Sequence, residues 1–143
     1  MGKGALMNWT LEVVIVPVSD VARAKEFYAG RLGWHIDHET PLPDGRLMLQ
    51  LTPPGSGCSI VIAQGLTDMP PGALQGLQLV VNDLRAAHAE LLGNGVETSD
   101  IVVLGPHGQR PSDLGDDLDN VGFLFFTDPD GNAWAVQQIT ARA

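Results

Sequence analysis

The chain repeats itself. Val13-Val14-Ile15-Val16-Pro17-Val18-Ser19-Asp20-Val21 aligns with Gly76-Leu77-Gln78-Leu79-Val80-Val81-Asn82-Asp83-Leu84 at an offset of 63 (76 − 13). In both copies an apolar run of strand length ends in Val-x-Asp and an aliphatic residue. The same offset carries Ala24 onto Ala87 and Tyr28 onto Leu91, and one gap later Gly33 meets Gly95. A duplicated unit of this size constrains the fold more than composition can, because each copy must build the same supersecondary structure.

Each copy reads as strand, helix, then three strands. The opening runs are rich in Val, Ile and Leu, as in strands covered on both faces. Asp20 and Asp83 stand at N-cap positions, where a carboxylate accepts from the first-turn N–H groups. Val21, Ala24, Phe27, Tyr28 and Leu32 follow at helical spacing, as do Leu84, Ala87, His88, Leu91 and Leu92. Gly33 and Gly95 fall where a helix end needs a left-handed residue. The next expected strands are Trp34–His38, Arg46–Leu51 and Ser59–Ala63 in the first copy, and Val96–Leu104, Phe123–Thr127 and Ala133–Ile139 in the second. Pro43-Asp44-Gly45, Pro53-Pro54-Gly55 and Asp128-Pro129-Asp130-Gly131-Asn132 are turn signals. Thr67–Gly72 reads as a linker, and Gly105–Asn120 as a long loop. The organisation expected is one domain over residues 1–143, with a first βαβββ module at 8–66 and a second at 73–140.

At 44% hydrophobic and 17% charged, the 143 residues can bury a core. The net charge of −9, with eight scattered Lys and Arg, argues against nucleic acid, whose phosphates need clustered cations. Cys58 is the lone cysteine, so no intrachain disulfide can form. Met1–Leu6 carries no secretory, myristoylation or phosphate-loop pattern, and the run Leu11–Val18 is too short to span a bilayer. These features lead to the expectation of a cytoplasmic protein without membrane contact.

Val18-Ser19-Asp20 with Ala24, Phe27 and Tyr28, then Leu32-Gly33-Trp34, and above all Phe126-Thr127-Asp128-Pro129-Asp130-Gly131-Asn132, resemble the vicinal oxygen chelate superfamily, the glyoxalase/bleomycin resistance/dioxygenase group. The resemblance covers roughly Trp9 to Ile139. It implies an α+β fold of two tandem βαβββ modules whose curved mixed sheets surround a shared cleft, commonly in a homodimer. Many members bind a divalent metal through one residue on the first strand and one on the last strand of each module; others hold no metal and sequester a drug.

Carried onto this chain, the four metal positions fall on Val13, Val61, Gly76 and Ala135, none of which offers a lone pair. A slip of one residue would bring in Glu12 but would turn the whole strand over. No metal and no other cofactor is therefore expected. Alternation from these positions nominates Val13, Ile15, Val61, Ala63, Gln78, Val80, Ala135 and Gln137 as cleft-lining residues, with Val14, Val16, Leu77, Leu79, Trp134 and Val136 beneath the helices. The two glutamines either meet a ligand or bond to each other or to water.

Trp34 is a further candidate ligand contact, set against a role in the core. His35 and His38, three apart on a strand, are expected on opposite faces. His107, in the long loop with Arg110, Asp113, Asp116, Asp117 and Asp119, is the candidate acid–base residue. Three functions stay open at this point: metal-independent binding of a small organic molecule, a metal-dependent glyoxalase or dioxygenase reaction, and metal-free acid–base catalysis.

Overall fold

The computed structural model describes residues 6–141; the Met1–Ala5 stretch read above for leader signals lies outside the described residues. Its first half contains β1 (Val13–Pro17), α1 (Val21–Lys25, continued by a π-helical turn Glu26–Arg31), β2 (His35–Pro41), β3 (Leu47–Thr52) and β4 (Ser59–Ala63). The second half contains β5 (Leu77–Val81), α2 (Leu84–Gly93), β6 (Val102–Gly105), β7 (Gly108–Pro111), β8 (Gly122–Thr127) and β9 (Ala133–Gln138). Sheet 1 has the order β1-β4-β3-β2 and sheet 2 the order β5-β9-β8-β6-β7. The opening strand of each half runs parallel to its last strand, and the other pairs are antiparallel. The fold is the α+β, two-module βαβββ architecture expected from the repeat.

The helix signals act as read. Asp20 accepts from the Arg23 N–H at 3.1 Å and Asp83 from the Ala86 N–H at 3.0 Å. Gly33 (φ 74°) and Gly95 (φ 78°) end the helices in the left-handed region. The π-helical turn was not foreseen. Its wider bond, Leu32 N–H to Phe27 O at 2.9 Å, lets the sequence neighbours Phe27 and Tyr28 both enter the core, edge to face with centroids 5.1 Å apart.

One hydrophobic core joins the helix sides of both sheets. Val16, Leu49, Leu51, Ile60 and Ile62 of sheet 1 share it with Leu124, Phe126, Trp134 and Val136 of sheet 2. Tyr28 lies between the modules: its hydroxyl donates to Asp128 at 2.8 Å and accepts from Trp134 Nε1 at 3.0 Å. Asp128 also caps its own turn, accepting from the N–H groups of Asp130, Gly131 and Asn132, while Asn132 donates to Pro17 O at 2.8 Å. The Asp-Pro-Asp-Gly-Asn segment is thus both the β8–β9 turn and a clamp on the end of β1. Gly72 (φ 83°) passes so close to this turn that a Cβ would lie 2.1 Å from Asp130 O.

Three expectations need correction. Val96–Leu104 is not a single strand. Ordered pairing begins at Val102, because Ser99 Oγ takes the Phe125 N–H at 2.9 Å that a ladder carbonyl would otherwise accept. The long loop Gly105–Asn120 contains β7, whose Gly-Gln-Arg-Pro sequence has no strand pattern and pairs only because a tight turn folds it back on β6. His35 and His38 share a face. The β2–β3 register shifts between them, so His35 opposes Thr52 and His38 opposes Gln50, two residues of the same parity.

Candidate functional site

Each sheet has a second face with no helix on it. On sheet 1 it carries Val13 and Ile15 from β1 and Ser59, Val61 and Ala63 from β4, with Gln50 and Thr52 from β3. On sheet 2 it carries Gln78 and Val80, then Ala135 and Gln137, then Phe125 and Phe123, as the register Gln78↔Ala135↔Phe125 and Val80↔Gln137↔Phe123 requires. Of the residues nominated beneath the helices, Val16, Trp134 and Val136 are buried and Leu77 and Leu79 pack against the core, while Val14 is half-buried and outside the core cluster.

These faces are open at β1, β5 and β8, whereas Ser59, Val61 and Ala63 of β4, the last two expected to line a cleft, are buried within the chain. Ile15, Val80 and Phe125 each keep nearly two-fifths of their surface exposed, which is unusual for apolar residues at mid-strand. Among the described residues, every side-chain hydrogen bond between the modules comes from the loop after β1, from the first helix, or from the β8–β9 turn and the end of α2; none joins the two helix-free faces.

The helix-free side of sheet 2 deepens into a cavity of about 540 Å³ at the start of β5 and β9. Gly76, Thr98, Ser99, Phe125, Thr127 and Ala135 are among its lining residues. Gly76 and Ala135, two of the four positions that the resemblance assigns to metal ligands, thus line the cavity without a side-chain donor. A Cβ built on Gly76 would meet nothing within 4 Å. On sheet 1, Val13 and Val61 occupy the corresponding positions, and Glu12 is exposed ahead of β1. Among the described residues no three His, Cys, Asp or Glu side chains converge. The donor set does not fit a divalent ion here, and no chemistry is derived through one.

Gln78 Nε2 donates to Gln137 Oε1 at 2.5 Å, and Gln137 Nε2 donates to Asn120 O at 2.8 Å. The glutamines bond to each other and still leave the Gln78 amide oxygen toward the open side. Phe123 and Phe125 stack with centroids 6.4 Å apart and rings 9° from parallel, forming an aromatic strip beside them. Sequence reasoning passed over both phenylalanines, although alternation against buried Leu124 and Phe126 would have placed them.

Trp34 is buried on the core side, 5.3 Å from Tyr28 and 5.2 Å from Trp134 by ring centroid. His107 stands exposed at the tip of the β6–β7 hairpin. Asp116 of the same loop is engaged bidentately by Arg110 at 2.9 Å, which holds its carboxyl down at about 2. Cys58 is half-buried beside Ser59.

Two βαβββ modules joined through their helices, each with a helix-free sheet face, define a two-module α+β architecture. The chain belongs to the Glyoxalase/Bleomycin resistance protein/Dioxygenase superfamily, whose model matches residues 10–136. It is similar to TnmS3, an antibiotic binding protein from Streptomyces sp. CB03234, with 32% identity over 94% of this chain and 99% of that one and a TM-score of 0.72. A glyoxalase/bleomycin resistance protein from the same strain is also 32% identical, over 90% of this chain and 100% of its own, with a TM-score of 0.69. A superfamily member from Sphaerobacter thermophilus DSM 20745, 24% identical over 93% of this chain and 99% of its own, shares the fold at a TM-score of 0.72. Among curated proteins none matches the chain. No helix of the described residues is long and apolar enough to cross a membrane.

Proposed function

We propose that this protein binds a small organic molecule without a metal ion, in clefts that form where sheet 1 of one copy faces sheet 2 of a second copy. The observation that carries the proposal is the cavity at Gly76 and Ala135. There the residues at the positions that the resemblance assigns to metal ligands offer no donor, and Phe125 with the hydroxyls of Thr98, Ser99 and Thr127 lines the space instead. An apolar pocket with a few placed polar groups is the usual form of a site for an organic ligand. The similarity to an antibiotic binding protein over nearly all of both chains points the same way.

Exposed apolar surface supports the homodimer: Ile15, Val80, Phe125 and Leu104 on the helix-free faces, and Trp9 and Leu11 on the segment before β1, are all exposed. Pairing two copies would cover these residues and close each open face with the other module's face. Val13 and Ile15 would then line one wall, and Gln78, Val80, Ala135 and Gln137 the other.

The test is a thermal-shift and calorimetric screen of planar aromatic and cationic antibiotics against the purified chain, with metal content measured on the same preparation. A ligand at one hundred times its Kd should add about 2.7 kcal/mol of stability and raise Tm. Saturable binding at substoichiometric metal supports the proposal. Close to one tightly held metal per chain would overturn its metal-free part.

A further inference from the structure

The bulge in β2 aims a carboxylate onto the helix-free face of sheet 1. Between the pairs His35↔Thr52 and His38↔Gln50, two residues, Ile36 and Asp37, oppose the single residue Leu51. Ile36 takes the core side, packing against the buried cluster. Asp37 is the extra residue, and it reaches over the opposite side, where its Oδ2 accepts from the Thr52 hydroxyl. Thr52 Oγ1 in turn lies 2.6 Å from Ser59 Oγ.

The direction of the protons in this chain of bonds is fixed by counting. An ionised carboxylate only accepts, and a hydroxyl has a single proton. Thr52 gives its proton to Asp37, so the Ser59–Thr52 bond must use the proton of Ser59. Both hydroxyls therefore point their protons toward Asp37 and hold it in place. Ser59 is 6% exposed and the Asp37 side chain 25% exposed, so the anchoring end is buried and the carboxylate end is reachable.

Only one oxygen of Asp37 is satisfied this way. Oδ1 takes no hydrogen bond among the described residues; His35 Nε2 lies 3.8 Å from it, with its side chain largely in solvent. Aspartate is disfavoured at mid-strand, and a partly desolvated carboxylate costs free energy unless it is paired. A bulge, a hydroxyl pair anchored at the buried Ser59 and a spare acceptor together make a prepared half of a hydrogen bond.

We infer that Asp37 is a specificity-determining residue of the cleft, accepting through Oδ1 a hydrogen bond from an O–H or N–H group of the bound molecule. The inference rests on the cleft reading above and adds to it the polarity of the ligand: a donor must face sheet 1. A neutral hydroxyl and a protonated amine share that chemistry, and an ether does not.

Three probes of one shape separate these cases: naphthylethanol, its methyl ether and naphthylethylamine, titrated calorimetrically into the full chain. The alcohol should bind about tenfold tighter than the ether, the scale of a hydrogen bond to a charged group, and the amine at least as tightly as the alcohol. In Asp37→Asn the alcohol-to-ether ratio should fall to within about twofold, because the amide can offer a donor in place of the lone acceptor. Thr52→Val should loosen the carboxylate and reduce the ratio partway. The ratio is the readout because a merely structural loss would weaken both probes alike, and thermal melts of each variant check folding. A wild-type ratio near one, or a ratio unchanged in Asp37→Asn, overturns the role of Asp37 and leaves the cleft reading standing. Failure of all three probes to bind the wild type at about 1 mM, the weak end of useful affinity, overturns the cleft reading for aromatic ligands and this inference with it.

Discussion

The Tyr28 hydroxyl donates to Asp128 Oδ2 at 2.8 Å across the junction between the two modules, from a ring with no exposed surface. Burial first, and the neighbouring carboxylate second, push the phenol far above its ordinary 10.0. Tyr28 is the chain's one tyrosine, so its ionisation can be read without interference. A raised folded pKa gives stability that is whole below the unfolded value and is lost as pH climbs above it. Tyrosinate absorbance should therefore be absent from the folded protein above pH 10.0 and should appear together with loss of the circular-dichroism signal. A smooth titration near 10 in folded protein would contradict the buried bond.

Removing the hydroxyl tests the same junction mechanically. Tyr28→Phe leaves Trp134 Nε1 without its 3.0 Å acceptor and takes one donor from Asp128. Orphaned buried groups cost about 1–3 kcal/mol each, so urea unfolding should show a loss in that range with the m-value unchanged. The remaining donors to Asp128, from Asn132 and the turn amides, should keep the loss from growing further.

The two N-caps offer a matched pair. Asp20→Ala and Asp83→Ala each remove one side-chain bond to a first-turn N–H and should each cost about 1 kcal/mol. The sites are on different helices without shared partners, so the double variant should lose close to the sum. Denaturant midpoints of the three variants decide this.

These caps were legible because the signal is local: a carboxylate, a helical apolar pattern and a glycine end sit within a dozen residues, and the duplication supplies them twice. The face assignment of β1, β5 and β9 was legible for the same kind of reason, since alternation along a regular strand needs only the sequence. What escaped was non-local. The bulge at Asp37 exists because Ile36 must reach the core while His38 keeps its pairing with Gln50, a condition set by β3 and invisible along β2 alone. The strand β7 forms by pairing with β6 rather than from its own composition. The bond between Gln78 and Gln137, one of the alternatives the sequence left open, depends on the β5–β9 register, which a hydropathy pattern does not report.

The hairpin that carries His107 is held by charge. Arg110 grips Asp116 at 2.9 Å through both nitrogens, the Asp113 N–H reaches the same carboxylate at 2.7 Å, and Arg85 donates to the Asp113 and Asp116 carbonyls. The Arg110 hydrogen bonds first, and the Asp113 amide second, lower Asp116 from 3.8 to about 2. A lowered carboxyl pKa stabilises the clasp above the ordinary value and releases it as pH falls through the folded one. The Asp113 amide should stay protected from hydrogen exchange down to about pH 3 at low salt, and lose protection sooner at high salt, where exposed ion pairs are screened. Asp116→Asn should lose the acid dependence altogether.

The exposed strip on sheet 2 makes the sharpest demand on the cleft proposal. Phe125 is nearly two-fifths exposed, stacks on Phe123 and lines the 540 Å³ cavity, so it can contribute to ligand contact and to the interface with a second copy. The two roles separate by concentration. If two copies close the cleft, light scattering should give twice the 15.2 kDa chain mass. Phe125→Ala should then weaken an aromatic ligand by about 1–2 kcal/mol, from lost stacking and apolar contact, while the mass stays doubled, because Ile15, Val80 and Leu104 still offer apolar area. Ile15→Asp, on the other sheet, would place a charge in the interface and should return the chain to monomer mass. A wild-type chain that is monomeric at every concentration yet binds ligand at full affinity would show that one module's face suffices, and the two-copy cleft would be wrong.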